Sequence, residues 1–154
     1  MKIRKGFLVL GAALLLVGQA QAQSHFSYDI FGMYTTDDKD GSGHDRLGLG
    51  AGVNYFFNMN MGVGLDTYTD DVVWPYLLNG SFIYRFAQLK PVMPYGYAGV
   101  GRQWAHSPQW MGHLGGGAQY ELTQGTSVFA DARLVLPDKT DNYGVIRVGM
   151  RFDF

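Results

Sequence analysis

The feature that most constrains how this chain folds is a strict alternation of apolar and polar residues, which is clearest in the closing segment 145–154 (VIRVGMRFDF). The apolar positions are Ile146, Val148, Met150, Phe152 and Phe154, and the residues between them are Arg147, Gly149, Arg151 and Asp153. A period of two predicts a β-strand with one apolar and one polar face. Because terminal residues of soluble domains are usually frayed and hydrated, an apolar stripe that continues to Phe154 is unusual for a soluble protein.

The same alternation recurs about eight times along the chain. The segments that carry it are 25–36, 46–57, 61–70, 74–86, 93–104, 110–122, 128–136 and 145–154. Glycine (22), tyrosine (10) and phenylalanine (10) are abundant, whereas Glu121 is the only glutamate. Such a composition favours strands over helices, and short connections favour antiparallel neighbours. The sequence therefore predicts an all-β, eight-stranded antiparallel barrel with up-and-down meander topology.

The N-terminus has the pattern of a secretory signal peptide. Lys2, Arg4 and Lys5 precede an apolar run over 6–17, and small residues flank Gln21 at Ala20 and Ala22. This run is shorter than the roughly 20 residues that a membrane-spanning helix needs. We predict cleavage after Ala22, with a signal peptide over 1–22 and the barrel over 23–154.

Charge and cysteine content exclude several classes of function. Cleavage would remove three of the 12 lysines and arginines and none of the 13 acidic residues, which leaves nine cations against 13 acids and a net charge of −4. A basic surface for nucleic acid is therefore not expected. The chain has no cysteine, which excludes a lipoprotein anchor, a disulfide framework and thiolate metal sites.

The two faces of the strands indicate which side is the interior. The polar face carries glycines and charges of both signs but no lysine, whereas soluble β surfaces are usually rich in lysine and glutamate. The apolar face carries aromatic residues near strand ends, as membrane interfaces require. This predicts a transmembrane barrel in place of a soluble, lipocalin-like ligand binder. The predicted aromatic girdle is Tyr28, Tyr34, Tyr55, Trp74, Tyr84, Phe86 and Trp110.

A barrel with this orientation places the charged residues in its interior, where they must be paired. The predicted interior network is Asp29, Asp66, Arg85, Arg102, His113, Glu121, Asp131, Arg133, Arg147, Arg151 and Asp153. Asp29, Asp66 and Asp131 are the expected partners of the arginines on the last strand. For the segment 93–104, we place Arg102 inside, which leaves Tyr95 and Tyr97 outside. An ion-pair network of this kind would close the interior to ions and solutes.

Three segments carry a resemblance to a known family: PYGYAGVG from Pro94, GGGAQYELTQGTSVFADARLVL from Gly115, and the closing VGMRFDF. They resemble the small outer-membrane β-barrel domain family, the OmpA/opacity-like group of the eight-stranded porin superfamily. The resemblance implies contact with outer-membrane lipid and lipopolysaccharide, and insertion by the barrel assembly machinery. It implies an assembly signal formed by Tyr143, Val148, Met150, Phe152 and Phe154.

The resemblance is less specific for function, because the family includes structural anchors, adhesins and small channels. The short outer loops of this chain differ from those of adhesin-like members. We expect a structural or accessory role, with another envelope protein as a further candidate partner. A small pore is the alternative that this family leaves open.

A lipid A modifying enzyme, either an acyl hydrolase or an acyltransferase, is a second alternative. The candidate residues are His44, Asp45, His106, Ser107 and His113. Adjacent His106 and Ser107 point in different directions on an extended backbone, so they are poorly placed as base and nucleophile. We therefore predict no catalysis and no cofactor.

The acidic segment 37–45 (DDKDGSGHD) resembles the start of a calcium loop. The calcium loop of an EF-hand needs glycine at its sixth position and glutamate at its twelfth. Counted from Asp37, these positions hold Ser42 and Gly48. We predict a solvated loop without a dedicated metal site.

Overall fold

In the computed structural model, the described residues are 26–36, 46–69, 77–86, 91–104 and 108–154. They form eight strands: β1 (Phe26–Thr36), β2 (Arg46–Phe56), β3 (Met61–Thr69), β4 (Leu77–Arg85), β5 (Val92–Gln103), β6 (Gln109–Thr123), β7 (Thr126–Pro137) and β8 (Tyr143–Asp153). Each strand pairs antiparallel with the next, and β8 pairs with β1, so that the sheet closes into a barrel. The predicted fold class is confirmed. The proposed signal peptide and its cleavage site lie outside the described residues.

The barrel has two different ends. Phe26 and Phe154 lie at one of them, which we call the terminal end, and the backbone N–H of Phe154 donates to the carbonyl oxygen of Phe26 at 2.9 Å. The β2–β3 and β6–β7 connections at this end are tight. Asn58 Oδ1 accepts from the backbone N–H of Met61 at 2.8 Å, and Gly125 adopts a φ of 82°, which favours glycine. The opposite end, which we call the loop end, is where β1 joins β2 and β7 joins β8.

Outward side chains on the strands are mostly apolar. Most of the large apolar ones are at least 37% exposed, and Leu47 is the most exposed of them at 77%. Monomers that are soluble in water rarely expose so large a continuous apolar surface. Of the predicted girdle residues, Trp74 lies outside the described residues, and the others face outward near strand ends: Tyr28, Tyr34, Tyr55, Tyr84, Phe86 and Trp110. Among the described residues no helix is long and apolar enough to cross a membrane.

The interior holds apolar as well as charged side chains. Most of the largest buried apolar cluster lies toward the loop end, and we call it the loop-side cluster, although its member Phe129 lies in the terminal half of β7. The cluster comprises Phe31, Met33, Tyr68, Leu77, Met111, Phe129, Val135 and Val145. Sequence periodicity placed several of these residues on the polar face without assigning them a role. They show that the interior is filled by close packing as well as by ion pairs.

The predicted orientation of β5 was wrong. Tyr95 and Tyr97 are buried in the interior with exposures of 3% and 7%, and Arg102 is exposed on the outward face. The physical reason is space and hydrogen bonding. The tyrosines lie opposite Gly117 and Gly115 of β6, where a larger inward residue would collide, and an interior carboxylate accepts hydrogen bonds from both hydroxyls. Arg102 lies near the loop end of its strand, where its cation need not enter an apolar layer.

Close strand packing at Gly117 gives a testable prediction. An alanine Cβ there would contact the carbonyl oxygen of Ala130 and the Cβ of Asp131, whereas one at Gly112 would meet nothing closer than 4.0 Å. We expect Gly117→Ala to lower the free energy of unfolding by about 1–3 kcal/mol, as overpacking typically does, and Gly112→Ala to leave it near the wild-type value. Urea unfolding in lipid vesicles would measure both. Equal stability of the two variants would contradict the proposed packing.

Candidate functional site

The candidate site is a network of six charged side chains in the barrel interior. Asp29 lies on β1, Asp66 on β3, Asp131 and Arg133 on β7, and Arg147 and Arg151 on β8. Each of these residues is at least 92% buried, since Asp66 has the highest exposure at 8%. The sequence alternation brings them inside, because each shares its strand's inward phase.

The ion pair nearest the terminal end joins β8 to β1. Arg151 lies directly across from Asp29 in the strand register, and its Nε and Nη2 donate to the two carboxylate oxygens at 2.8 and 2.7 Å. Its Nη1 donates to Gln119 Oε1 at 2.6 Å. Asn54 Nδ2 donates to Asp29 Oδ2 at 3.0 Å. Arg151 thus holds the seam between the first and last strands with a two-point pair.

A second pair lies between β7 and β8. Arg147 Nε and Nη2 each donate to an oxygen of Asp131 at 2.8 Å. Asp131 also accepts hydrogen bonds from the hydroxyls of Tyr95 at 2.7 Å and Tyr97 at 2.9 Å. The carboxylate therefore has four donors, which offsets the cost of removing its charge from water.

The third pair crosses the barrel. Arg133 on β7 donates through Nη1 and Nη2 to the carboxylate of Asp66 at 3.0 and 2.7 Å, and β3 and β7 lie opposite each other in the closed sheet. Asn79 Nδ2 donates to the same carboxylate at 3.0 Å. Arg147 Nη1 lies 3.5 Å from Asp66 Oδ2, which connects the second and third pairs. The three arginines and three aspartates balance in charge.

Aromatic faces surround the guanidinium groups. Cζ of Arg147 lies 4.9 Å from the ring centre of Phe31, that of Arg151 lies 5.2 Å from the ring centre of Phe129, and that of Arg133 lies 5.1 Å from the ring centre of Tyr97. Aromatic faces attract cations electrostatically. The rings therefore both fill the interior and stabilise the charges within it.

The remaining predicted network residues lie elsewhere. Arg85 lies on the inward face near the terminal end, with Cζ 3.5 Å from the ring centre of Phe56. Within the described part of the chain, its Nε and Nη2 have no hydrogen-bond partner, so Phe56 provides the contact that we expected from a carboxylate. Glu121 is half-buried near the same end, and Asp153 is exposed there. Arg102, as described above, is outside.

His113 is buried within the barrel, 4% exposed. Its Nε2 lies 2.8 Å from Ser81 Oγ, and its ring centre lies 6.2 Å from that of Tyr97. The other residues weighed for enzymatic chemistry or a calcium loop, namely 37–45, His106 and Ser107, lie outside the described residues. Among the described residues there is no group of three potential metal ligands.

Comparison with solved structures identifies the architecture. Neisserial surface protein A shares 18% sequence identity with this chain at a TM-score of 0.65, covering 85% of this chain and 98% of that one. The N-terminal β-barrel domain of Pseudomonas aeruginosa OprF shares 19% identity at a TM-score of 0.64, covering 86% and 100%. The chain has the fold of the small eight-stranded outer-membrane β-barrels.

This fold is compatible with more than one activity. The outer-membrane enzyme PagL is also similar, with 13% identity at a TM-score of 0.50, covering 82% of this chain and 99% of that one. No protein-family model and no curated protein sequence matches the chain. At these identities the similarity establishes the fold, and function has to be argued from the residues.

Several members of the site were not predicted from the sequence. Tyr95 and Tyr97 were assigned to the wrong face, and Asn54, Asn79 and Gln119 were not recognised as partners of the charges. A usable signal did exist in the glycines at 115 and 117, because inward glycines on one strand leave space for large inward side chains on the next. Neutral amides near inward charges carry no comparable sequence signal.

The pair between Asp131 and Arg147 gives a second prediction. Asp131→Asn keeps the size of the side chain but leaves Arg147 without its two-point carboxylate. Removing one partner of a buried pair typically costs about 3–5 kcal/mol, so we expect a loss of that order in the free energy of unfolding, measured by urea titration in lipid vesicles. The matched control is Asp138→Asn, which makes the same change at an exposed position after β7. A loss no larger than that of the control would show that the pair does not stabilise the barrel.

Proposed function

We propose that this protein is an integral outer-membrane β-barrel with a structural or accessory role, that its interior is closed to ions and solutes, and that it carries out no catalysis. The observation that carries the proposal is the buried network of three two-point ion pairs, one of which crosses the interior from β7 to β3. The predicted signal peptide over 1–22 supports export, and the outward apolar surface supports insertion into a bilayer.

Closure of the interior is supported by two successive layers. The ion-pair network occupies the middle of the barrel, and most of the loop-side cluster lies beyond it toward the loop end, while Phe31 and Phe129 pack against its guanidinium groups. An ion that crossed would have to separate Arg133 from Asp66, whose closest atoms are 2.7 Å apart, and then displace large apolar side chains. Eight-stranded barrels have interiors just wide enough for side chains to fill.

The absence of catalysis is supported by the position of the serine and histidine that contact each other. Ser81 and His113 are 8% and 4% exposed and face the interior. Their hydroxyl and imidazole contact each other at 2.8 Å inside the barrel, on the side of the sheet away from the outward surface along which a lipid substrate would diffuse. The partners of a non-catalytic barrel are then outer-membrane lipid and lipopolysaccharide, the barrel assembly machinery during insertion, and another envelope protein that it would support.

Electrical recording tests the proposal. Protein refolded into vesicles should migrate faster on a gel when unheated than when boiled, since closed membrane barrels resist detergent. After transfer to a planar bilayer, we expect no discrete current steps, because each interior arginine of the network is held by an aspartate. A large open barrel reconstituted in parallel serves as the positive control.

Two results would contradict the proposal. Recovery of the protein in a detergent-free periplasmic extract, with no heat-dependent shift, would support a soluble barrel. Reproducible current steps from the folded protein that change in size in the Asp131→Asn variant would support a pore through the network.

The predicted assembly signal has its own test. The ring of Phe154 stacks on that of Tyr28, with ring centres 5.1 Å apart. We expect Phe154→Ala to reduce the fraction of protein assembled in the outer membrane of cells several-fold, while the purified variant still refolds into vesicles. Phe57→Ala, at an exposed aromatic of the same end, is the matched control. Equal assembly of the two variants would argue against a role for Phe154 as a signal.

A further inference from the structure

Arg102 occupies an unusual place on the outward surface. Among the outward side chains of the described strands, it is the only one from Asp, Glu, Lys, Arg or His. All around it are apolar groups: Leu78 lies across from it on β4 and Trp110 on β6. A cation on such a face is costly unless it lies at the interface and has a partner.

The neighbours of Arg102 place it at the level of a membrane interface. It lies one residue before β5 ends at Gln103. Trp104 and Trp110 are both outward and more than half exposed, and Cζ of Arg102 lies 5.1 Å from the ring centre of Trp110. Tryptophan prefers the boundary between lipid chains and headgroups. The guanidinium is therefore expected at headgroup level, on the loop side of the bilayer.

The guanidinium of Arg102 has free hydrogen-bonding capacity. It contacts the ring of Trp110, and no residue in the described ranges forms a hydrogen bond or ion pair with it. Arginine presents five donors in a planar fork that matches a phosphate. An anionic group with several oxygens is the partner that suits this side chain, and the described residues supply none.

An apolar groove of about 530 Å³ lies on the same outward face, and Val100 is the residue of β5 that lines it. Val100, which lines the groove, precedes Arg102 by two residues, a separation of about 7 Å along a strand. From there the groove passes over Gly80 and between Leu65 and Phe82, and it continues across β2 to the first residue of β1 at the terminal end. Gly80 forms an open floor, since an added Cβ would meet its nearest neighbour, Leu65 Cδ2, only at 3.7 Å.

We propose that Arg102 and Trp110 form a binding site for the phosphate of a phosphorylated lipid in the loop-side leaflet, and that the groove over Gly80 takes one of its acyl chains. The inference rests on the proposed membrane insertion. Charge complementarity selects the phosphate, and the apolar groove leading away from the cation selects an amphiphile over a free ion. In this orientation the lipid headgroup would lie at the loop end, and the acyl chain would cross β4 and β3 toward the terminal end.

Native mass spectrometry of the full-length mature barrel, released from detergent with added lipid, tests this site. The probes are diphosphorylated lipid A, lipid A with its phosphates removed, and inorganic phosphate. We expect the wild type to retain phosphorylated lipid A at least about tenfold more strongly than the dephosphorylated form, as the loss of charge-assisted hydrogen bonds implies. Inorganic phosphate should not displace the lipid.

Three variants separate the contribution of the Arg102 charge to lipid binding from that of the groove. Arg102→Gln should lose the preference for phosphorylated lipid A, and Arg102→Lys should retain part of it because the charge remains. Gly80→Leu, which fills the groove, should weaken binding of both lipid A forms. The matched control is Lys139→Gln, which removes a cation at the loop end whose Nζ donates to the carbonyl oxygen of Pro108 at 2.8 Å; it should bind as the wild type does.

The outcomes distinguish this inference from the proposed function. Each variant is first checked for the heat-dependent gel shift of a folded barrel. If the wild type folds into vesicles but Arg102→Gln keeps the preference for phosphorylated lipid A, the lipid site is overturned and the proposed function stands. Displacement of lipid A by inorganic phosphate would likewise overturn the lipid as the ligand. Failure of the wild type to insert into vesicles would overturn the proposed function itself.

Discussion

The structure depends on the pairing of β8 with β1, because this contact removes both free edges of the sheet. A free edge exposes unpaired backbone N–H and carbonyl groups, and a bilayer core offers them no partner. Closure also divides the residues into two populations, since every outward side chain meets the surroundings and every inward one must fit a narrow interior. Arg151 and Asp29 form their ion pair across this seam, so the contact that closes the sheet also begins the interior network.

The narrow interior accounts for the residues that fill it. Charges brought inside by the alternation require neutralisation, and Asp29, Asp66 and Asp131 each receive an arginine held at two points. Glycines leave room in the interior for large side chains on the neighbouring strand, as Gly115 and Gly117 do for Tyr97 and Tyr95. The loop-side cluster adds apolar packing between the ion-pair network and the loop end. A filled interior and an apolar exterior are two consequences of one pattern, and they are the basis on which we propose an anchor or accessory barrel in place of a channel.

Sequence reasoning succeeded where strand phase was unambiguous. Apolar residues alternate with charges in 145–154, and apolar residues alternate with glycines in 46–57, so the inward face could be assigned from the residues themselves. In β5 the same reasoning failed, because one arginine was weighed against two tyrosines and the charge was taken as the inward group. Near a membrane interface an arginine can face outward beside tryptophan, while a tyrosine can face inward when a carboxylate accepts its hydroxyl. Arg102, which the sequence pattern assigned to the wrong face, is the residue on which the proposed lipid site rests.

By itself, the sequence determined the number of strands, their order, the meander topology and the faces of most of them, because a period of two is a local property of the chain. Only the tertiary structure decided which charges meet. Arg133 reaches Asp66 on the opposite wall, and Arg147 lies between two aspartates. It likewise decided the orientation of Tyr95, Tyr97 and Arg102. The physical reason is that barrel closure and register set these distances between strands far apart in the chain, and no local pattern records them.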